Sequence, residues 1–409
     1  MRVVAVTYGT EGDWRPLAAL CSGLARAGHD VTMLAPRPAE ALARRLGVAF
    51  DALAGDMAAE LDHAMPTLMH KGLDPAAMSR ILTGMAARNT SAWMRTVLAH
   101  ARGADVIVPA GLAVYVGLSC AEHLGVRAVG AGLQPVMPTR AFPSPFVPPW
   151  RMPGWLNRLS HRVVLALLWR AFRAATNAAR EEVGQSARRA PWDGYPILFG
   201  YSPTLVPAPA DWPARFHVTG AWTTAPDPAW RPAAGLETFL AAGEAPVYVG
   251  FGSMQGFDRA RAEAAVIGAL DGRRAIMSAG AARLGQGALP GHVLRVGPVP
   301  HPWLFPRMRV VVHHGGAGTT HAAARAGVPQ VVVPLTGDQP FWGDRVWRLG
   351  IASRPLAHRA LTASALRTRL DEAGDGAHAT RAAAIADAMR DEDGVGNAVA
   401  AFTAAAAAV

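Results

Sequence analysis

The stretch VVVHHGGAGTTHAAARAGVPQVVVP, residues 310–334, constrains the fold of this chain more than any other. Val310 to Val312 is a β-branched run, Thr319 to Ala326 carries a helical pattern closed by Gly327, and Val331 to Val333 is a second strand-like run. A strand, a helix and a strand in immediate succession form a crossover unit of a parallel sheet. The Gly-rich turn between the first strand and the helix then lies at the carboxyl end of a strand, where open α/β sheets bind their ligands. Glycines there let backbone N–H groups approach an anion, and the helix N-terminus adds partial positive charge. A phosphate or diphosphate is the natural occupant, with Thr319 and Thr320 as hydroxyl donors. A turn of this kind can also serve only to let a helix pack closely on a sheet.

The same alternation runs through the rest of the chain. Val3 to Val6 ends in GTEGD and is followed by LAALCSGLARAG, in which Leu17, Leu20 and Leu24 share one helix face and Gly28 stands at the end. HDVTMLA reads as the next strand, and ADVIVPAG, a helix near Gly117 to His123 and VRAVGAG continue the pattern. A proline-rich loop occupies residues 134–155, and it precedes NRLSHRVVLALLWRAFRAATNAAREE, a basic amphipathic helix. Two placements suit that helix: flat on a membrane surface, or, the favoured one, packed in the first domain with arginines toward solvent. Prolines return from Pro203 to Pro232 around one short strand, Phe216 to Val218. After them LETFLAAG, PVYVGFGSM, RRAIMSA and HVLRVGPV resume the alternation.

A chain of 409 residues exceeds one hydrophobic core, so two domains are expected. The division is a first domain at 1–205, a linker at 206–232 and a second domain at 233–409, with the last helix placed to pack back on the first domain. The fold class is α/β, two doubly wound Rossmann-like domains facing across a cleft. With 51% hydrophobic and 17% charged residues, disorder is excluded. The net charge of +10 comes from scattered arginines, Lys71 being the sole lysine, with no basic block and no zinc-finger spacing, so nucleic acid is not an expected partner. Cys21 and Cys120 read as small core residues of a reducing compartment. The N-terminus lacks a signal-peptide pattern, and no apolar run reaches the roughly 18 residues of a membrane span, so a cytoplasmic protein with at most peripheral membrane contact is expected.

Asp13 closes the GTEGD loop at the carboxyl end of the first strand. The residues alone leave it evenly divided between an N-cap for a helix starting near Pro16 and a catalytic base facing the cleft. His313 and His314 end a strand, and no cluster beside them has metal-ligand spacing, so no metal is expected. The methionine-rich MAAELDHAMPTLMHKG, with Met65, Met69, His63 and His70, suits either the lining of an apolar pocket or core.

The order HHGGAGTT, AGVP, GDQPFWGDRV resembles the nucleotide-sugar signature of the GT-B fold UDP-glycosyltransferase superfamily. It is most similar to the branch of sterol glucosyltransferases and antibiotic (macrolide and glycopeptide) glycosyltransferases. GTEGDWRP followed by LARAGHDV, and FGSM, are similar to two further loops of that branch. The resemblance implies a UDP- or dTDP-sugar as donor co-substrate, with no other cofactor. It also implies inverting transfer of a hexose, glucose first among them, to a hydroxyl of a lipophilic acceptor such as a sterol or a polyketide aglycone. By position, His314 and the Gly316 to Thr319 turn, Gly318 included, would hold the diphosphate, helped by Ser253. Val299 and His301 would face the base, and Asp338 and Gln339 the sugar hydroxyls. Asp13 becomes the expected base, and Gln134, Met65 and Met69 the acceptor side. Plant members carry a ribose-binding Glu where this chain has Ala322, so ribose contacts must come from elsewhere. The competing expectations are a nucleotide-sugar epimerase or hydrolase, and a non-catalytic helper that kept the donor turn.

Overall fold

Strand β1 (Arg2–Tyr8) is buried at every residue after Arg2, the signature of a central parallel strand covered on both faces. A computed structural model describes residues 1–56, 59, 75–252, 259–279 and 287–407. In the first sheet β1 is joined by β2 (Asp30–Pro36), β3 (Ala49–Leu53) and β4 (Val106–Gly111), with β5 (Arg127–Ala128) beside β4. Then come β6 (Gly130–Gly132), β7 (Ile197–Phe199) and β8 (Phe216–Val218), in the spatial order β3-β2-β1-β4-β6-β7-β8. The second sheet has β9 (Val247–Gly250), β10 (Ala275–Ser278), β11 (Val293–Val296), β12 (Val310–His313) and β13 (Gln330–Val332), in the order β11-β10-β9-β12-β13. Pairing is parallel in both, and in each the strand order reverses beside the first strand, β1 or β9. That reversal opens a crevice at the carboxyl ends, which holds the GTEGD loop in one domain and the HHGGAG turn in the other.

Residues 206–232 were expected to be a linker, yet β8 pairs with β7 and extends the first sheet beyond residue 205. The cause is aromatic packing: Trp212 stacks on Phe199 with ring centroids 4.7 Å apart, and Phe216 meets both edge-on, giving this sheet edge its own apolar cover. The first helix, Glu11–Arg26, starts at Glu11 and not near Pro16. Pro16 is accommodated in its second turn, where the carbonyl it leaves without an N–H partner is near the helix start.

The two domains share a core in which Phe142, Phe199, Tyr201 and Leu205 pack with Phe341, Trp342, Val346 and Met389. The last helix, Gly394–Ala407, crosses to the first domain, and its Ala398, Phe402 and Ala406 complete the cluster around Leu17, Leu20 and Leu24. A Cβ on Gly23 would stand 2.3 Å from Val395 Cγ1, so the two helices touch where the first has no side chain. The crossover begins at Gly394, where a Cβ would fall 2.4 Å from the carbonyl oxygen of Ala221. Gly394→Ala must therefore displace backbone, and it is expected to destabilise the protein by about 1–3 kcal/mol, read as a lowered midpoint in urea unfolding.

Candidate functional site

The donor-side turn is built by glycines at positions where a side chain could not fit. β12 delivers His313, Gly315 takes φ +87°, and Gly316 caps the helix Ala317–Arg325. A Cβ on Gly315 would lie 2.8 Å from Val332 Cγ1 and 2.9 Å from the carbonyl oxygen of Gln339, and one on Gly316 would lie 2.5 Å from His314 Nε2. A Cβ on Gly318 would meet nothing within 4 Å, so the helix N-terminus opens onto free space with its first amides unspent on the helix itself. The two threonines differ. Thr320 is buried and its hydroxyl donates to the Gly316 carbonyl at 2.9 Å, which removes it as a ligand donor, whereas the Thr319 hydroxyl makes no hydrogen bond among the described residues.

His313 and His314 are adjacent in sequence but do different work. His313 is fully buried; its Nδ1 accepts from the Gly315 N–H at 3.1 Å, which leaves the proton on Nε2 to donate to Gln330 Oε1 at 2.9 Å. Burial, then the neighbouring His314, pushes its pKa down to about 3, so it is a neutral strut that shapes the turn. Gln330→Leu would leave that buried N–H unpaired and is expected to cost about 1–3 kcal/mol, measured as loss of thermal stability. His314 turns the other way, into a slot that Gly252 and Gly316 leave open; a Cβ on Gly252 would be 2.8 Å from its Cε1. Its Nδ1 is buried without a hydrogen-bond partner, and burial together with His301 pushes its pKa down to about 4. A neutral imidazole there can donate one N–H to an anion.

Val299 and His301 precede and open the short helix His301–Leu304. Val299 packs on the core under this loop, and the His301 ring lies flat on Phe305 at 4.2 Å. Its pKa falls to about 4, mainly through burial and then Arg15, with Glu11 opposing. Both charged residues belong to the first turns of the first helix, so that helix of one domain faces the His301 loop of the other.

Asp13 is the N3 residue of a capping box and not the N-cap. Thr10 caps the helix, and Asp13 Oδ2 accepts from the Thr10 N–H at 2.7 Å and from its hydroxyl at 3.1 Å. Gly9 is required beside it, since a Cβ there would lie 2.2 Å from Asp13 Oδ2. Burial in the cleft raises the Asp13 pKa to about 6; the two Thr10 hydrogen bonds pull it down and Asp338 pushes it up. The Asp338 carboxylate, from the donor domain, thus lies within electrostatic reach of Asp13 across the crevice.

Asp338 precedes the helix Gln339–Arg348, and its Oδ2 accepts from Trp342 Nε1 at 2.8 Å. Burial raises its pKa against the hydrogen bonds from Trp342, its own backbone and Gln134. Gln134, expected on the acceptor side, therefore also touches the donor loop. Gln339 is buried and its Oε1 accepts from the N–H groups of Leu335 at 2.8 Å and Thr336 at 3.1 Å, so that oxygen holds the loop in shape. Ser253, Met65 and Met69 lie outside the described residues, as do His63 and His70.

Other residues of the site escaped the sequence reading. Thr10 fixes Asp13, and the T-x-x-D spacing could have signalled it. His321, on the donor-side helix, accepts from the Ser202 N–H of the first domain at 3.1 Å, and Glu392 Oε1 accepts from the hydroxyls of Ser202 and Thr204 at 2.7 Å each. No local pattern announces contacts between residues this far apart in the chain. Among the described residues no group of three His, Cys, Asp or Glu is placed to hold a metal, and no helix is long and apolar enough to cross a membrane.

Two facing doubly wound domains with a Gly-rich, helix-capped turn at the cleft define a GT-B architecture. Residues 263–399 match the family described as erythromycin biosynthesis protein CIII-like, C-terminal domain. Along 97% of this chain and 96% of the relative, the sequence is 34% identical to an O-mycaminosyltylonolide 6-deoxyallosyltransferase of Streptomyces fradiae. It is 30% identical to a sterol 3-beta-glucosyltransferase of Cryptococcus neoformans over 98% of this chain, which spans only 27% of that longer protein. Among solved structures, the glycosyltransferase of kitacinnamycin matches with a TM-score of 0.74 over 99% of this chain and 98% of its own, at 20% identity. VinC in complex with dTDP matches with a TM-score of 0.68 over 99% of both chains, at 19% identity. At those identities the structural matches establish the fold alone. The chain belongs to the UDP-glycosyltransferase superfamily of GT-B glycosyltransferases, in the branch that holds sterol and macrolide glycosyltransferases. It is a nucleotide-sugar-dependent glycosyltransferase.

Proposed function

We propose that the protein transfers a hexose, glucose first among the candidates, from a UDP- or dTDP-sugar to a hydroxyl of a lipophilic acceptor, either a sterol or a polyketide-type aglycone, with inversion at the anomeric carbon. The observation that carries this reading is the juxtaposition of Asp13, its pKa raised to about 6, with the donor loop of Asp338 across the cleft. Asp13 takes the proton of the acceptor hydroxyl as its oxygen attacks the anomeric carbon. The sugar–phosphate bond breaks, and the negative charge that develops on the diphosphate meets the amides of Ala317 to Thr319 and the His314 N–H. Val299 and His301 border the base, and Asp338 and Gln339 the sugar. Gln134 spans the donor loop and the acceptor wall; Ser253, Met65 and Met69 keep the donor and acceptor roles that the sequence resemblance alone gives them.

The dTDP option draws on VinC, whose structure holds that nucleotide, and the acceptor class on the names of the macrolide and sterol relatives. A first domain that runs on through β8, a second domain from 233 whose last helix returns to the first, and a cytoplasmic location belong to the same proposal. The test is mass spectrometry of full-length protein incubated with UDP-glucose or dTDP-glucose and a panel of sterols, macrolide aglycones and flavonoids. A product one hexose heavier than its acceptor, with a β-linkage by NMR from the α-linked donor, supports the reading. Free sugar with no acceptor product in any combination sinks it in favour of a hydrolase.

A further inference from the structure

Six of the eight large hydrophobic side chains that stand exposed among the described residues fall between Phe146 and Leu167. Trp150 and Trp155 are 61% and 64% exposed, far more than buried or half-buried core aromatics. Along the helix Gly154–Glu182, Trp155, Leu159, Val163 and Leu167 recur every fourth residue and so form one stripe. The opposite face, with His161, Trp169, Phe172 and Thr176, is buried in the first domain. Of the two placements the sequence suits, the favoured one turns arginines toward solvent; the structure puts the arginines and an apolar stripe on the same exposed side.

The charge around the stripe is of one sign. From residue 123 to 180 the chain contains no Asp or Glu and eight arginines. Arg180 is buried against Glu122, but Arg151, Arg162, Arg170 and Arg173 are exposed, and none pairs with a carboxylate among the described residues. Glu181 and Glu182 close the helix at its C-terminal end, beyond the stripe, and Asp211, occupied by Thr139 and the Arg140 N–H, acts on Arg158 and His161, which lie off the stripe.

We infer that this face of the 154–182 helix, with Trp150 at its entry, docks the enzyme on a bilayer surface rich in anionic phospholipid. Apolar side chains backed by unpaired arginines match the acyl boundary and the phosphate layer at once, and tryptophans settle at that boundary. A second copy of the chain is a poor occupant, because a two-fold contact would bring the same arginines against each other. The inference does not depend on which acceptor is used. The helix continues from the proline-rich loop that begins at Gln134 beside the cleft, so docking would bring the acceptor wall near the membrane.

The test is co-sedimentation of the full-length protein with phosphatidylcholine vesicles and with vesicles containing phosphatidylglycerol. Binding is expected only to the anionic vesicles, and it should weaken as salt rises. The double variant Trp155→Ser, Leu159→Ser and the triple variant Arg162→Gln, Arg170→Gln, Arg173→Gln should each reduce partitioning at least tenfold. Circular dichroism and urea unfolding should be unchanged, since all five side chains are exposed. The inference is overturned by absent binding to anionic vesicles, by equal binding of the variants, or by a dimer in analytical ultracentrifugation that Trp155→Ser dissociates. Product formation in the soluble assay described above is read separately, so its failure leaves this result intact.

Discussion

Asp13→Asn is expected to lower kcat by roughly a hundredfold to ten-thousandfold, the usual contribution of a positioned general base. Nucleotide-sugar binding should survive, because the donor turn lies in the other domain. The pH profile supplies the second half of the expectation. Burial raises the Asp13 pKa from 3.8 to about 6, so below pH 6 the carboxyl is largely protonated and cannot accept the acceptor's proton. In the wild type, kcat/KM should therefore rise as pH increases through about 6 and level off above it. The variant's residual activity should lack that limb. A variant that retains both its rate and the acidic limb would remove Asp13 from the mechanism. Asparagine can keep one hydrogen bond from Thr10, so a folded protein is expected, and circular dichroism checks it.

His314→Ala is the second large effect. The imidazole is the one side chain that points into the mouth of the glycine turn with a buried ring nitrogen left unpartnered among the described residues. Removing a preorganised donor from a site where negative charge develops costs on the order of 10²–10³ in kcat. Binding of UDP or dTDP, measured by calorimetry, should weaken at least tenfold. Unaltered nucleotide affinity together with unaltered kcat would show that the helix N-terminus alone holds the diphosphate. The neighbouring histidine gives the contrast: His313→Ala should act first on stability, because it leaves Gln330 Oε1 and the Gly315 N–H unpaired in the core.

How much of this could be read from the chain itself differs from element to element. The donor turn was legible because everything that makes it is local: a β-branched run, glycines where a Cβ would strike His314 or Val332, and a helix of alanines. His314 is distinguished from His313 only by three-dimensional packing. The residue at the end of a strand alternates between faces, and which ring meets Gln330 and which meets the cleft depends on β13 and Gly252. Asp13 was legible as a loop acid, yet its helix position was misjudged. Pro16 drew the expected start of the helix toward it, while the Asp13 carboxylate already accepts the Thr10 N–H and fixes the helix start at Glu11.

Gln134 shows the same division. Its neighbourhood of prolines marked a functional loop, but its hydrogen bond to Asp338 joins positions some 200 residues apart. The edge strand of the first sheet, β8, reads as a strand in the sequence but as part of a linker, because its partner is settled by Trp212 stacking on Phe199.

The sequence by itself determined the two-domain α/β plan, the superfamily and the glycine-rich turn, since hydrophobic periodicity, glycine placement and helix termini act over a few residues. Only the tertiary structure decided which charges are buried and which chemical groups face each other. The raised pKa of Asp13, the neutrality of His314 and the exposed apolar stripe on the arginine-rich helix all follow from desolvation. Desolvation belongs to the assembled surroundings of a residue, not to its neighbours in the chain.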